Sequence, residues 1–202
     1  MRDSVHSSSE KDPINPDQYL TRYDYVDEVY EDNTRYEGQK RNNMRNGTGT
    51  YVFQNGYVYK GNWKDDEMHG FGTMYVNGKV LYEGEWRNNH FHGRGLLYNL
   101  ERQEALNQSC ASNLDHIHLT WDRYEGEFYH GMRHGSGTLF YSNGDFFFGD
   151  FKNGTIHGKG SYTKPGVYKV AAVWENNILV EELMRGEDNS VNSSRLDKSK
   201  HI

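Results

Sequence analysis

Residues Tyr82 to Gly95 read YEGEWRNNHFHGRG, and this stretch decides the fold. Aromatic and glycine positions alternate with glutamates as far as Trp86. Such a period of two is the mark of a strand with two different faces. Asn88 and Asn89 then interrupt the run, and His92, Gly93 and Gly95 begin a second one. Asparagine tolerates a left-handed backbone better than most residues, so an Asn-Asn pair suits the turn of a two-residue hairpin. The stretch therefore reads as strand, tight turn, strand.

The same pattern recurs along the chain. Tyr36-Glu37-Gly38, Tyr59-Lys60-Gly61 and Tyr82-Glu83-Gly84 open three units 23 residues apart. Tyr124-Glu125-Gly126 and Phe147-Phe148-Gly149 open two more at the same spacing. Between the third and fourth openings the interval is 42, so 19 residues are inserted. Each unit carries a G-x-G pair: Gly47/Gly49, Gly70/Gly72, Gly93/Gly95, Gly135/Gly137 and Gly158/Gly160. Four places after the opening stand Trp63, Trp86, Phe128 and Phe151, with Lys40 in the first unit. A half-unit follows at Val170 to Val180, with Ala172 at the glycine place and Trp174 at the aromatic place. A fixed period of this kind is the signature of a repeat architecture.

These residues resemble the MORN repeat (membrane occupation and recognition nexus), whose motif is close to YxGxWxxGxxHGxGTxxxxxG. The resemblance covers about Tyr36 to Val180. Departures are Lys40, Phe147 in place of Tyr, the missing second glycine of the third unit, and the insert.

Composition agrees with a thin sheet. The chain of 202 residues is only 34% hydrophobic, yet holds 22 glycines and 16 tyrosines. One cysteine, Cys110, excludes a disulfide within the chain. No apolar run approaches the ~20 residues of a membrane span, and residues 1–13 carry no apolar segment of the signal-peptide kind. The expectation is a cytoplasmic protein. Residues 1–35 carry net −5, residues 36–174 net +1 and residues 175–202 net −2. A near-neutral array with acidic ends favours neither nucleic acid nor an anionic bilayer.

The expected architecture is all-β: an elongated, twisted, single-layer antiparallel meander of some eleven or twelve strands. Residues 1–25 read as an acidic, disordered tail. Residues 26–180 read as the array, opened by a capping strand at 26–31 and interrupted by an insert at about 100–123. In that insert Glu101 to Gln108 reads as a short helix, and Ile117, Leu119 and Trp121 alternate as in a strand. Residues 181–202 read as a capping segment and a second disordered tail. Ile178 to Met184 is either a last strand or a short apolar helix.

Alternation places Tyr82, Gly84 and Trp86 on one face and Glu83 and Glu85 on the other. The predicted partner-binding residues are the ring row: Tyr59, Trp63, Tyr82, Trp86, Tyr124, Phe128, Phe147, Phe151 and Trp174. A single-layer sheet has no second layer to cover such rings, and aromatic anchors dominate binding hot spots. The resemblance implies that the rings line the concave groove. The repeated glutamates read as a solvated face.

Several constellations are read as structural. His69, His92, His134 and His157 recur at one place in their units. Equivalent residues sit two strands apart, roughly 9–10 Å, too far to share a metal ion. His116, His118, Asp115 and Cys110 lack paired ligand spacing. The G-x-G pairs lie within strands, with no helix behind them to face a phosphate. No nucleophile arrangement stands out, and the reading is of a non-enzymatic protein with no cofactor and no metal.

The functional expectation is a scaffold or adaptor that binds a partner protein's helix or extended segment. The family resemblance implies a place in a cytoskeletal or ciliary assembly, such as an axonemal radial spoke. Two alternatives are a phospholipid-membrane attachment module and a regulatory subunit for an enzyme in another chain. Exposed edge strands would also allow self-association.

Overall fold

The computed structural model describes residues 23–100, 114 and 117–188. The expected tail before residue 23, the expected helix at Glu101 to Gln108 and the tail after residue 188 lie outside the described residues. Thirteen strands follow one another in chain order and in space: β1 (Asp24–Val29), β2 (Arg35–Arg41), β3 (Met44–Val52), β4 (Val58–Lys64), β5 (Glu67–Val76), β6 (Lys79–Arg87), β7 (His90–Tyr98), β8 (Arg123–Tyr129), β9 (Met132–Phe140), β10 (Phe146–Lys152), β11 (Thr155–Lys164), β12 (Tyr168–Glu175) and β13 (Ile178–Gly186). Every neighbouring pair is antiparallel. At ~4.8 Å per strand the open sheet is about 55–60 Å wide.

Two kinds of turn alternate. Along one rim both central residues are left-handed, as in Asn42 and Asn43 (φ 53° and 63°) and Asn88 and Asn89 (φ 50° and 64°). That geometry matches the twist of the flanking strands. These turns also bond to one another: the Asp66 amide donates to the Arg45 carbonyl at 3.0 Å, and the Asn89 amide to the Met68 carbonyl at 3.1 Å. Most turns of the opposite rim are longer. The Gly56 amide donates to the Phe53 carbonyl and the Phe53 amide to the Tyr57 carbonyl. Asn77-Gly78 is one residue shorter, and a register shift between Met74 and Tyr75 restores the period before Tyr82.

The capping strand is present as β1, which begins two residues ahead of the expected start of the array. Ile178 to Met184 forms the last strand, not a helix. Ile117, Leu119 and Trp121 do not form a strand. Ile117 to Leu119 make a turn. Ile117 is buried in the core, and its carbonyl accepts the Tyr141 hydroxyl at 2.8 Å. The alternation there reflects one buried anchor in a fold-back loop, not pairing with a neighbour.

One register line crosses the sheet through Gly38, Gly49, Gly61, Gly72, Gly84, Gly95, Gly126, Gly137, Gly149 and Gly160, one glycine from each of β2 to β11. The opening ring of each unit lies over its glycines. Beside it stands the ring four places on, and the two sets interlock edge to face. Tyr59 meets Trp63 and Trp86 at 5.1 Å each, Tyr82 meets Trp86 at 5.3 Å and Phe128 at 5.1 Å, and Tyr124 meets Phe128 at 5.2 Å and Phe151 at 4.9 Å. Phe147 continues the line to Trp174 at 5.0 Å. Edge-to-face contacts of this kind add about 0.5–1.5 kcal/mol each beyond area burial. The core of this one-layer sheet is the ring row itself.

Candidate functional site

The structure places all nine predicted binding rings inside that core. Tyr59, Tyr82, Tyr124, Phe147 and Trp174 are fully buried, and Trp63, Trp86, Phe128 and Phe151 are no more than 4% exposed. The expectation that a single layer leaves them uncovered is therefore corrected. Each ring covers its neighbour, and the second strand of each hairpin adds a lid. Phe91 stacks on Tyr82 at 3.9 Å, and the Arg45 guanidinium lies 4.4 Å from the Trp63 ring centre. Arg133 sits among Trp121, Tyr124 and Phe151, where burial pulls its pKa down from the ordinary arginine value.

The concave side is also the opposite of the expected one. A hollow of about 960 Å³ is lined by residues from all six strands β5 to β10, including Thr73, Glu83, Leu96, Glu125, Thr138 and Phe148. In register these belong to the glutamate face. Two further hollows, about 340 Å³ over β1 to β4 and about 640 Å³ over β10 to β13, extend the groove along the same face. The physical reason is crowding. Bulky rings fill one face while glycine and short polar side chains leave the other empty, so the sheet curls away from the rings.

The groove has a backbone floor and aromatic walls. Gly72, Gly84, Gly95, Gly126 and Gly137 line its base. Phe71 on β5 and Phe148 on β10 stand up from it, 67% and 53% exposed. Leu96 lies between Glu83 and Glu125, its cross-strand neighbours. Both glutamates are exposed, and neither has an ion-pair partner among the described residues.

Not every glutamate on this face is free to act. In each unit the left-handed first glycine of the G-x-G pair forms a bulge whose next amide is left outside the ladder. In four units a side chain from the preceding strand caps it. Gln39 accepts from the Thr48 amide at 2.8 Å, Asn62 from Phe71 at 3.1 Å, Glu85 from Arg94 at 2.9 Å and Glu127 from Ser136 at 3.3 Å. Glu85 and Glu127 are thus bulge caps, where sequence alternation suggested a merely solvated face. The repeated histidines lie at the same rim, and His92 contacts the rings of Tyr129 and His130 at 5.6 and 6.0 Å. Burial, then Arg87 and His130, hold His92 below the ordinary histidine pKa. Among the described residues no group of three His, Cys, Asp or Glu side chains is placed to hold a metal ion.

Sequence reasoning missed Phe71 and Phe148. The signal was a departure from the repeat at groove-facing places. The middle residue of the other G-x-G pairs is Thr48, Arg94, Ser136 or Lys159, and only Phe71 is aromatic. The residue after the opening ring is Glu37, Lys60, Glu83 or Glu125 elsewhere, and only Phe148 is apolar.

The MORN repeat family model matches residues 36–56, 59–80, 82–98, 124–146 and 147–166, just over half of the chain. This chain belongs to the MORN-repeat family. MORN repeats are protein- and membrane-interaction modules, and the groove is where this MORN array offers exposed apolar side chains on a concave surface. No curated protein matches the chain.

Proposed function

We propose that the protein is a non-catalytic scaffold or adaptor whose groove holds a segment of a partner protein. The observation that carries this is the pair of exposed rings, Phe71 and Phe148, over a glycine-floored hollow of about 960 Å³. Interface anchors are typically aromatic and sit where water can be excluded around them. Glu83 and Glu125 beside Leu96 select the chemistry. The occupant is a helix or extended stretch combining apolar side chains with lysine or arginine. The lining of that hollow sets Glu83 and Glu125 against Arg94, and so lacks the basic surface that an anionic bilayer needs. The MORN family affiliation supports a place in a cytoplasmic cytoskeletal or ciliary assembly of the radial-spoke kind. A regulatory contact with an enzyme in another chain would use the same groove.

The test is affinity capture from the protein's own cells, comparing wild type with Phe71→Ala/Phe148→Ala. Cytoskeletal or axonemal proteins held by the wild type and lost from the variant support the proposal. Identical capture by both, with unchanged circular dichroism, overturns the groove. Flotation of the protein with liposomes beside an empty capture lane favours membrane attachment instead.

A further inference from the structure

The two ends of the open sheet are built differently. At one end β13 is bulged twice, and Leu183 and Val180 have no partner across the ladder to β12. Bulges, with Glu181 and Glu182 on the same strand, blunt an edge against further pairing. At the other end β1 runs in unbroken register with β2 from Asp24 to Val29. Among the described residues nothing pairs with its outer side. The Tyr30 amide donates inward to the Thr34 carbonyl at 2.9 Å, and the Tyr30 carbonyl accepts from the Asn33 amide at 2.9 Å. In an antiparallel ladder this direction alternates from residue to residue. Glu28, Val26 and Asp24 therefore bond to β2, while Tyr25, Asp27 and Val29 aim their amides and carbonyls away from the sheet.

The side chains of those three residues stand on the groove face, where Tyr25 lines the hollow over β1 to β4 with Glu37 and Lys60. Tyr25 and Val29 are each 70% exposed, an aromatic and a β-branched side chain on either side of Asp27. Side chains of these kinds make the favourable cross-strand pairs of a sheet. From Asp24 to Arg41 six carboxylates stand against the three bases Arg35, Lys40 and Arg41, a net charge of −3. Arg35 is engaged with Asp27 at 2.7 Å and Lys40 with Glu28 at 2.5 Å. Arg41 lies over the ring of Tyr23, and Lys60 over that of Tyr75. A second copy of β1, set antiparallel with Tyr25 opposite Val29, would bring Asp27 against Asp27. Like charges directly opposite destabilise a sheet. The acidic edge thus turns away its own copy and suits a basic strand.

We propose that β1 is a docking edge for an extended, basic segment of a partner protein, which pairs antiparallel with it and continues the sheet. The segment carries lysine or arginine opposite Asp27, and β-branched or aromatic residues two places to either side, opposite Tyr25 and Val29. Main-chain bonds to the outward amides and carbonyls supply affinity, and the alternate side chains supply selection. The edge is a second surface, separate from Phe71 and Phe148 in the groove, and stands whether or not the groove is a binding site.

The probe is the peptide acetyl-Lys-Val-Thr-Lys-Thr-Val-Lys-amide, titrated to millimolar concentration into the full chain and followed by amide NMR. Expected are saturable shifts in β1 and slower hydrogen exchange at the amides of Tyr25, Asp27 and Val29. The same peptide with glutamate in place of lysine should bind on the order of tenfold more weakly or worse. Asp27→Pro removes one outward donor, a change that an edge strand tolerates on its solvent side, and should abolish the shifts. Tyr25→Lys/Val29→Lys alters only exposed side chains and should abolish them too, which keeps the test decisive if the proline variant fails to fold. Phe71→Ala/Phe148→Ala should bind the peptide as wild type does, so that the groove and the edge fail separately. No saturable shift in β1, equal binding of the acidic peptide, or protection confined to the groove or to β13 overturns the proposal. A dimer of the peptide-free chain in sedimentation, lost in Tyr25→Lys/Val29→Lys, also overturns it, by placing a second copy on the edge.

Discussion

The phenol ring of Tyr82 lies flat over Gly95 on the neighbouring strand, so closely that a Cβ there would overlap its Oη. The same oxygen donates to the Glu85 carbonyl at 2.8 Å, which locks the ring in place. Gly95→Ala has no room for its methyl group and is expected to cost at least the ~1–3 kcal/mol typical of overpacking. Tyr82→Phe removes one hydrogen bond and keeps the ring, a loss of about 0.5–1.5 kcal/mol. The chain already uses this form in its fifth unit, where Phe147 covers Gly149 and Gly160. Urea unfolding of both variants checks the order; a smaller loss for Gly95→Ala than for Tyr82→Phe would contradict the packing described.

Trp63 and Trp86 are links in the ring row, each edge-to-face with Tyr59 at 5.1 Å. Their indole nitrogens donate to the Gly49 and Gly72 carbonyls at 3.1 and 2.9 Å. Each Trp→Ala change should cost about 3–5 kcal/mol, and the double variant should lose its cooperative transition. Phe71→Ala and Phe148→Ala remove exposed rings and should stay within about 0.5 kcal/mol of wild type. Thermal melts of the two double variants separate the faces. A stable Trp63/Trp86 variant would mean that the rings are not the core.

Much of the fold was legible because it depends on local chemistry repeated at a constant interval. Asn88-Asn89 announced its turn, and Tyr82, Gly84 and Trp86 announced a shared face. Curvature was not legible in that way. It is a difference in crowding between two faces summed over many strands, and no single residue carries it. The burial of Trp63 by Tyr59 and Arg45 was equally hidden, since ring-on-ring cover depends on neighbours in other units. The groove walls could have been read by asking where the chain departs from its own repeat, as at Phe71 and Phe148. Ile117 was out of reach, because a fold-back loop and a short strand share the same alternation.

Glu85 accepts the Arg94 amide that the bulge at Gly93 leaves outside the ladder. Glu85→Ala leaves this donor without its protein partner and should cost about 1 kcal/mol. Glu85→Gln should recover most of that loss, because an amide oxygen accepts equally well. Gln39 and Asn62 do so natively in the first two units. Hydrogen exchange at the Arg94 amide gives the local readout, faster in Glu85→Ala and near wild type in Glu85→Gln. Equal acceleration in both variants would assign the residue a purely electrostatic role.

The first unit lacks a ring at the fourth place, and Lys40 stands there instead, tied to the capping strand. Its Nζ lies 2.5 Å from a Glu28 carboxylate oxygen that also accepts the Tyr30 hydroxyl at 2.9 Å. The Lys40 bond, aided by Tyr30, holds Glu28 below its ordinary 4.5 despite a desolvation cost. Burial is the largest single influence on Lys40 and acts to lower it, but the Glu28 bond and the charges of Tyr30 and Glu28 together raise it above its ordinary 10.5. For Glu28 the stabilisation is present above the unfolded carboxylate value and is lost as pH falls through the lower folded one. For Lys40 it is present below the unfolded lysine value and is lost as pH rises through the higher folded one. The cap is therefore held across the neutral range and loosens at both extremes. Compared with Glu28→Gln, the wild type should melt at higher temperature at pH 7, with the gap closing as the pH is taken well below 4.5. Amide exchange in β1 should follow the same course. A gap that persists unchanged into acid would mean that packing of Lys40 over Tyr30, 5.9 Å from its ring centre, holds the cap without the ion pair.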